Sequence, residues 1–163
     1  MRRQTITRLE RAHALVLIGP ALLLGGALLS QHAFGLPPCE LCFWQRWPHL
    51  GAILIGLMGL TATGISRRAA VLFAAVAVAV SGIVGVFHAG VEQNLWRSPF
   101  GCTAVDIGTS GDFLRDMMAA PVVRCDVAAW DLFGISLAGY NAIFSLLIAG
   151  GALWLSLRPL KPR

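Results

Sequence analysis

The chain has 163 residues, of which 56% are hydrophobic and 13% are charged, and its formal net charge is +5. Soluble domains carry about 45–50% apolar and about 25% charged residues, so this composition excludes a water-soluble globular protein. It also excludes a disordered chain, which needs low hydrophobicity and high charge. The length fits one domain. We therefore expect residues 1–163 to form a single domain embedded in a membrane.

Four long stretches of the sequence contain no Asp, Glu, Lys or Arg. They lie between Arg11 and Glu40, Arg46 and Arg67, Arg68 and Glu92, and Asp131 and Arg158. A helix needs about 20 apolar residues to cross the core of a bilayer, and each stretch is long enough. We predict an all-α integral membrane protein, a bundle of four transmembrane helices over about 14–29, 50–65, 69–87 and 137–157.

The first stretch has a second interpretation as a cleaved signal peptide, because Arg2, Arg3 and Arg8 precede it. Its apolar run from Ala14 to Leu29 is longer than the 7–15 residues of a signal core, and no clear cleavage site follows. We therefore expect this stretch to remain in the protein as the first transmembrane helix.

Basic residues are concentrated in the two tails and in the link between the second and third predicted helices. Nine of the 13 lie there: Arg2, Arg3, Arg8, Arg11, Arg67, Arg68, Arg158, Lys161 and Arg163. The positive-inside rule places both termini in the cytoplasm and two loops, about 31–47 and 88–136, on the non-cytoplasmic side. The positive charge at helix ends does not form the clustered patch that nucleic acid requires. We expect membrane lipid and no nucleic acid among the partners.

All four cysteines lie in the two predicted outer loops, Cys39 and Cys42 in the first, Cys102 and Cys125 in the second. Disulfides persist outside the cytoplasm, so this placement indicates redox chemistry. Cys39 and Cys42 form a Cys-x-x-Cys motif, in which one thiol often has a depressed pKa. If the second helix begins near Cys42, Arg46 lies one turn further on the same face and favours the thiolate.

The second loop is longer than a connection between helices needs, and loops of that length are usually functional or disordered. Residues 108–112 provide a helix N-cap followed by an acidic residue, and an apolar stripe follows at 113–118. This pattern predicts a short amphipathic helix that either lies on the membrane surface or packs on the bundle.

Three other interpretations of these residues remain open. One is a structural disulfide, although a short ring removes little entropy from the unfolded chain. Another is a Cys₄ zinc site, although such sites usually pair two short-spaced motifs. The third is haem ligation by histidines, the candidates being His13, His32, His49 and His88. No two of these fall at mid-membrane in the predicted helices, and we expect no metal.

Several stretches of the chain resemble the DsbB family of disulfide bond formation proteins. Residues 38–46, PCELCFWQR, resemble the family's P-C-x-L-C-x-x-x-R, and residues 87–92, FHAGVE, resemble the end of its third helix. Residues 121–126 and 130–141 resemble the stretch that leads into its fourth helix. The similarity covers nearly the whole chain. One departure is Gln45, where a family member has an acidic residue, and this alters the local charge near Cys42.

The resemblance implies a quinone-dependent thiol oxidase of the bacterial inner membrane that supports disulfide formation in exported proteins. Its partner would be a DsbA-like periplasmic protein with a thioredoxin fold. In that family scheme, reduced DsbA attacks a Cys102–Cys125 disulfide and forms a mixed disulfide with Cys102. The electrons then pass to the Cys39–Cys42 pair.

The same resemblance implies that Cys42, the cysteine nearest the membrane, contacts a membrane quinone as a thiolate. Arg46 and His88 match positions that flank the quinone ring. The quinone would be ubiquinone, with menaquinone as the alternative.

Other functions remain as alternatives. A relay that delivers electrons outward would usually need cysteines reachable from the cytoplasm, and all four lie in the predicted outer loops. An enzyme like vitamin K epoxide reductase shares the four-helix, four-cysteine plan but has its Cys-x-x-Cys late in the chain. A structural subunit with two inert disulfides would show no quinone-dependent turnover. Four cysteines allow three connectivities, so the resting disulfide pattern also remains open.

Overall fold

Four long helices build the described part of the protein. The computed structural model describes residues 2–98 and 123–157, with side chains from residue 8 onward. In chain order the helices are α1 (Arg2–Ala33), α2 (Glu40–Thr61), α3 (Gly64–Glu92) and α4 (Leu137–Leu157). Each helix packs against its neighbours in the chain, and α1 closes the bundle by packing against α4. This arrangement confirms the predicted four-helix architecture.

Three of these helices, in the described part of the chain, are long and apolar enough to cross a membrane by themselves: Arg8–Ala33, Gly64–Glu92 and Leu137–Leu157. The remaining helix, α2, is 22 residues long but carries polar residues and Pro48 in its first half. Polar groups inside a membrane helix usually face the bundle or a cavity and mark a functional region. The first half of α2 is therefore where a site is expected.

The helix ends differ from the predicted apolar cores at every helix except α4, which matches at both ends. The second helix is observed at Glu40–Thr61 instead of 50–65, because Cys39 caps its start and Ala62 is extended at its end. Gly64, with φ +57, completes the tight turn into α3. His88 was expected at the start of a loop but lies inside α3. The predicted loop bounds of 31–47 and 88–136 shift accordingly.

Small side chains fill the middle of the bundle, and large apolar ones cover its outside. The interior cluster is Ala12, Val16, Ala52, Val71, Ala74, Ala75, Val78, Ala149 and Ala152. Exposed residues such as Leu22, Met58 and Phe73 face outward from the same helices. Small interior residues let helix backbones approach closely, and an apolar exterior matches lipid.

A short β-hairpin, which the sequence analysis did not predict, precedes α4. Strands β1 (Asp131–Leu132) and β2 (Ile135–Ser136) pair in antiparallel fashion. Phe133 and Gly134 form the turn with φ of 54° and 75°, as the tight turn of a hairpin requires. Ser136 then donates a hydrogen bond to Glu92 on α3, so the hairpin ties the start of α4 to the end of α3.

Candidate functional site

Cys39 and Cys42 form a close pair of thiols at the start of α2. Cys39 is the N-cap residue, and its sulfur accepts a hydrogen bond from the backbone nitrogen of Cys42 at 3.4 Å. The Cys39 thiol donates to the Cys42 sulfur across 3.1 Å. A small shift of either side chain brings the sulfurs to bonding distance. The geometry is therefore compatible with a disulfide between Cys39 and Cys42.

The protonation of this pair is asymmetric. The pKa of Cys39 is raised above its ordinary value, first by the hydrogen bond to Cys42 and then by burial of the thiol. Cys42 lies in the first turn of α2, where unpaired backbone N–H groups favour negative charge. Cys42 is therefore the sulfur that carries charge in the reduced pair, while Cys39 keeps its proton.

His88, near the end of α3, completes the cluster. Its Nε2 atom lies 3.4 Å from the sulfur of Cys39 and 3.7 Å from Oε1 of Glu92. The side chain is 3% exposed. The structure thus brings together three of the residues that the sequence singled out, Cys39, Cys42 and His88.

Cys125 packs into the same end of the bundle. It is 1% exposed and belongs to a buried cluster with Cys39, Leu41 and Val91. Its partner in the predicted second pair, Cys102, lies outside the described residues, as does the amphipathic helix expected at about 108–118. The position of Cys125 places a thiol of the second loop beside the first pair.

Arg46 lies one turn beyond Cys42 on α2, as the sequence predicted. Its guanidinium donates to Oε1 of Gln31 at 2.6 Å and to the backbone oxygen of Ala27 at 3.2 Å, both on α1. It also lies over the ring of Phe43, 5.4 Å from the centroid. These contacts fix the cation between α1 and α2, whereas His88 is held on the α3 side of the thiols.

Four polar residues that the sequence analysis did not assign to the site form a hydrogen-bonded network inside the bundle, which Gln45 joins to His88: Gln45, His49, Ser81 and Asn141. Gln45 was noted only as a departure from the family pattern. The side chains come from α2, α3 and α4, so no local motif joins them. The pattern that could have found them is polar side chains within otherwise apolar membrane helices.

The same cluster is the group of described residues that could hold a metal. The ligand atoms of Cys39, Cys42 and His88 all lie within 4.8 Å of one another. A structural zinc site takes four protein ligands, and this cluster supplies three. The same sulfur and nitrogen atoms hydrogen-bond to one another. The geometry of the cluster therefore fits a thiol pair beside a histidine as well as it fits a metal centre.

Comparison with known proteins gives a consistent result. The family model for the disulfide bond formation protein DsbB matches residues 9–155. The chain is 32% identical to disulfide bond formation protein B of Marinobacter nauticus, with 91% of this chain and 92% of that protein covered. It is 29% identical to disulfide bond formation protein B 2 of Pseudomonas aeruginosa, with 85% and 86% covered.

A further relative, disulfide bond formation protein B of Polaromonas naphthalenivorans, is 28% identical, with 94% of this chain and 95% of that protein covered. No solved structure gives a significant match. The matched region contains all of α2 and α3, most of α1 and α4, and the cysteine cluster. The chain belongs to the DsbB family of disulfide bond formation proteins.

Proposed function

We propose that the protein reoxidises the dithiol of a periplasmic DsbA-type protein and passes the electrons through two cysteine pairs to a membrane quinone. Family membership supports this function. The observation that carries it is the placement of Cys39 and Cys42, with sulfurs 3.1 Å apart, beside the buried Cys125. A third cysteine packed beside a close thiol pair at one end of a membrane bundle is suited to thiol–disulfide exchange with that pair.

The first exchange involves the second cysteine pair. A DsbA thiolate attacks the sulfur of Cys102, the Cys102–Cys125 bond breaks, and Cys125 leaves as a thiolate. The second DsbA thiol then attacks the mixed disulfide, so DsbA leaves oxidised and the pair is left reduced. Exchange of this kind needs an accessible attacked sulfur and a good leaving thiolate.

The second exchange transfers the electron pair inward. Cys125 packs with Cys39, so its thiolate is placed to attack Cys39 of the oxidised first pair. The Cys39–Cys42 bond breaks, and Cys42 leaves as a thiolate at the start of α2. Cys102 then attacks Cys125, which restores the second disulfide and leaves Cys39 as a thiol after it gains a proton.

The quinone, ubiquinone or menaquinone, would accept two electrons and two protons while the Cys39–Cys42 disulfide re-forms. The residues present fit such a group. Arg46 is held between α1 and α2, one turn from Cys42, and Phe43 beside it is 38% exposed on the outside of the bundle. A fixed cation at the edge of an apolar medium stabilises negative charge on an oxygen more strongly than it does in water. His88, on the other side of the thiols from Arg46, would act on this step through Cys39, whose sulfur lies 3.4 Å from its Nε2 atom.

The orientation of this chain is part of the proposal. The basic tails and the basic link between α2 and α3 favour cytoplasmic termini, which puts the cysteine cluster at the periplasmic end. Labelling single added cysteines with an impermeant maleimide in spheroplasts tests this. Label at the N-terminus without permeabilisation contradicts the assigned orientation.

The function is tested by quinone reduction with purified protein in detergent and reduced DsbA as donor. We expect quinol formation that is lost in Cys42→Ser. Cys125→Ser should lose turnover with DsbA but keep turnover with dithiothreitol, which reduces the first pair directly. Correctly folded protein that gives no turnover with ubiquinone or menaquinone contradicts the proposal and leaves a structural role with inert disulfides.

A further inference from the structure

A chain of hydrogen-bonded side chains runs from the bundle interior to the thiol pair. His49 Nε2 lies 2.8 Å from Asn141 Oδ1, and Asn141 Nδ2 lies 2.8 Å from Gln45 Oε1. Gln45 Nε2 lies 2.7 Å from His88 Nδ1, and His88 Nε2 lies 3.4 Å from Cys39. Gln45, His49 and His88 are all buried.

Backbone carbonyls fix the orientation of both amides in this chain, because a carbonyl oxygen only accepts hydrogen bonds. The backbone oxygen of Leu41 accepts from Gln45 Nε2 at 3.1 Å, and the backbone oxygen of Ser81 accepts from Asn141 Nδ2 at 3.3 Å. Each amide nitrogen therefore lies at the point where the series of hydrogen bonds requires a donor. Gln45 donates to His88, and Asn141 donates to Gln45.

A third carbonyl fixes the proton on His49. Ser81 donates its hydroxyl hydrogen to the backbone oxygen of Gln45 at 2.8 Å. In its contact with His49 Nε2, at 2.9 Å, the hydroxyl oxygen of Ser81 therefore accepts. The proton of neutral His49 is therefore on Nε2. Its Nδ1 atom is buried and has no hydrogen-bond partner among the described residues.

The tautomer of His88 follows from two independent contacts. Gln45 donates to Nδ1, so the proton of a neutral imidazole lies on Nε2 and points at Cys39. The one hydrogen of the Cys39 thiol is directed to Cys42, so in its contact with His88 the sulfur of Cys39 can only accept. Both contacts require the same tautomer.

We propose that Gln45 and Asn141 are positioning residues that hold His88 as an Nε2–H donor to Cys39. Every donor from His49 onward then points toward the thiol pair, and the aligned dipoles stabilise the negative charge that Cys42 carries after its disulfide is reduced. The inference rests on the proposed function and deepens it, since it assigns the groups that stabilise the reduced first pair.

The tautomer is measured directly by nitrogen NMR of the full-length reduced protein in detergent, with ¹⁵N-labelled histidine at about pH 8, where histidine is ordinarily neutral. The resonances of His88 are identified by their loss in His88→Gln. We expect a protonated Nε2 and a bare Nδ1. In Gln45→Glu, a carboxylate accepts where the amide donated, so Nδ1 should become protonated. His13 serves as the internal control, because the carbonyl of Gly56 holds its Nε2 proton far from the site.

A functional measurement separates positioning from a merely structural role. We expect Gln45→Met and Asn141→Leu to lower the rate of Cys42 alkylation about tenfold near neutral pH and to move the rate–pH profile to higher pH. The control is Ser156→Ala, which removes a buried hydroxyl of α4 that is not part of this hydrogen-bonded chain. It should leave the rate–pH profile within about twofold of the wild type.

A wild-type His88 with its proton on Nδ1 overturns the proposal, as does an unchanged alkylation profile in folded Gln45→Met. The NMR measurement needs neither DsbA nor quinone. A protein with the expected tautomer and profile but without quinone reduction therefore contradicts the proposed function and leaves the hydrogen-bond assignment standing.

Discussion

The Nε2 atom of His88, one turn before the end of α3, lies 3.4 Å from the sulfur of Cys39, which caps the start of α2. The two residues are 49 positions apart in the chain. Both are buried, so the contact is protected from water. It connects the Cys39–Cys42 motif at the start of α2 to the polar interior of the bundle.

Replacing His88 by alanine should slow electron transfer from the first cysteine pair to quinone by about ten- to a hundredfold, because Cys39 loses its donor. The Gln45 amide also loses a buried partner, at a cost of about 1–3 kcal/mol in stability. Stopped-flow quinone reduction and thermal unfolding in detergent measure the two effects. His32→Ala, on an exposed side chain at the end of α1, is the control. Unchanged quinone reduction in His88→Ala contradicts the assigned role.

Replacing Arg46 by alanine should slow quinone reduction by about tenfold or more while exchange with DsbA continues at its normal rate. Arg46→Lys should recover only part of the rate, because an ammonium group cannot reproduce the two-point contact with Gln31 and Ala27. Single-turnover measurements of each step separate the effects, with Arg68→Ala as a control at the opposite end of the bundle. Equal slowing of both steps refutes the assignment of Arg46 to the quinone.

The two thiols of the first pair should react in a fixed order. The raised pKa of Cys39 keeps this thiol protonated near neutral pH, and a protonated thiol is a poor nucleophile. Brief treatment of the reduced protein with iodoacetamide should therefore modify Cys42 before Cys39, as peptide mass spectrometry can show. The preference should persist as the pH rises, because a raised pKa delays ionisation. Modification of Cys39 first contradicts this assignment.

Close packing of α3 on α4 should make Gly85 intolerant of a side chain. A Cβ atom there would lie 3.0 Å from the backbone nitrogen of Ala142 and 3.1 Å from the oxygen of Ala138. We expect Gly85→Ala to destabilise the protein by about 1–3 kcal/mol. Gly150→Ala is the matched control, because a Cβ atom added at Gly150 would meet no described atom within 4 Å. Equal thermal stability of the two variants contradicts the packing argument.

The number of helices could be predicted from charge-free stretches, because the thickness of the bilayer sets how long each apolar run must be. Leu137–Leu157 was predicted at both ends. The other helix ends could not be, because backbone hydrogen bonding continues beyond the apolar run until a cap or a turn stops it. Cys39 caps the start of α2, and Gly64 forms the turn between α2 and α3.

The sequence by itself determined the membrane class, the four helices and the close Cys39–Cys42 pair, since these follow from composition and from the local spacing of the two cysteines. The family resemblance directed attention to Arg46 and His88. Only the tertiary structure placed Cys125 against Cys39 and joined Gln45 to Asn141 across 96 residues. Such contacts depend on how the helices pack, and polar groups that lie on different helices form no pattern along the chain.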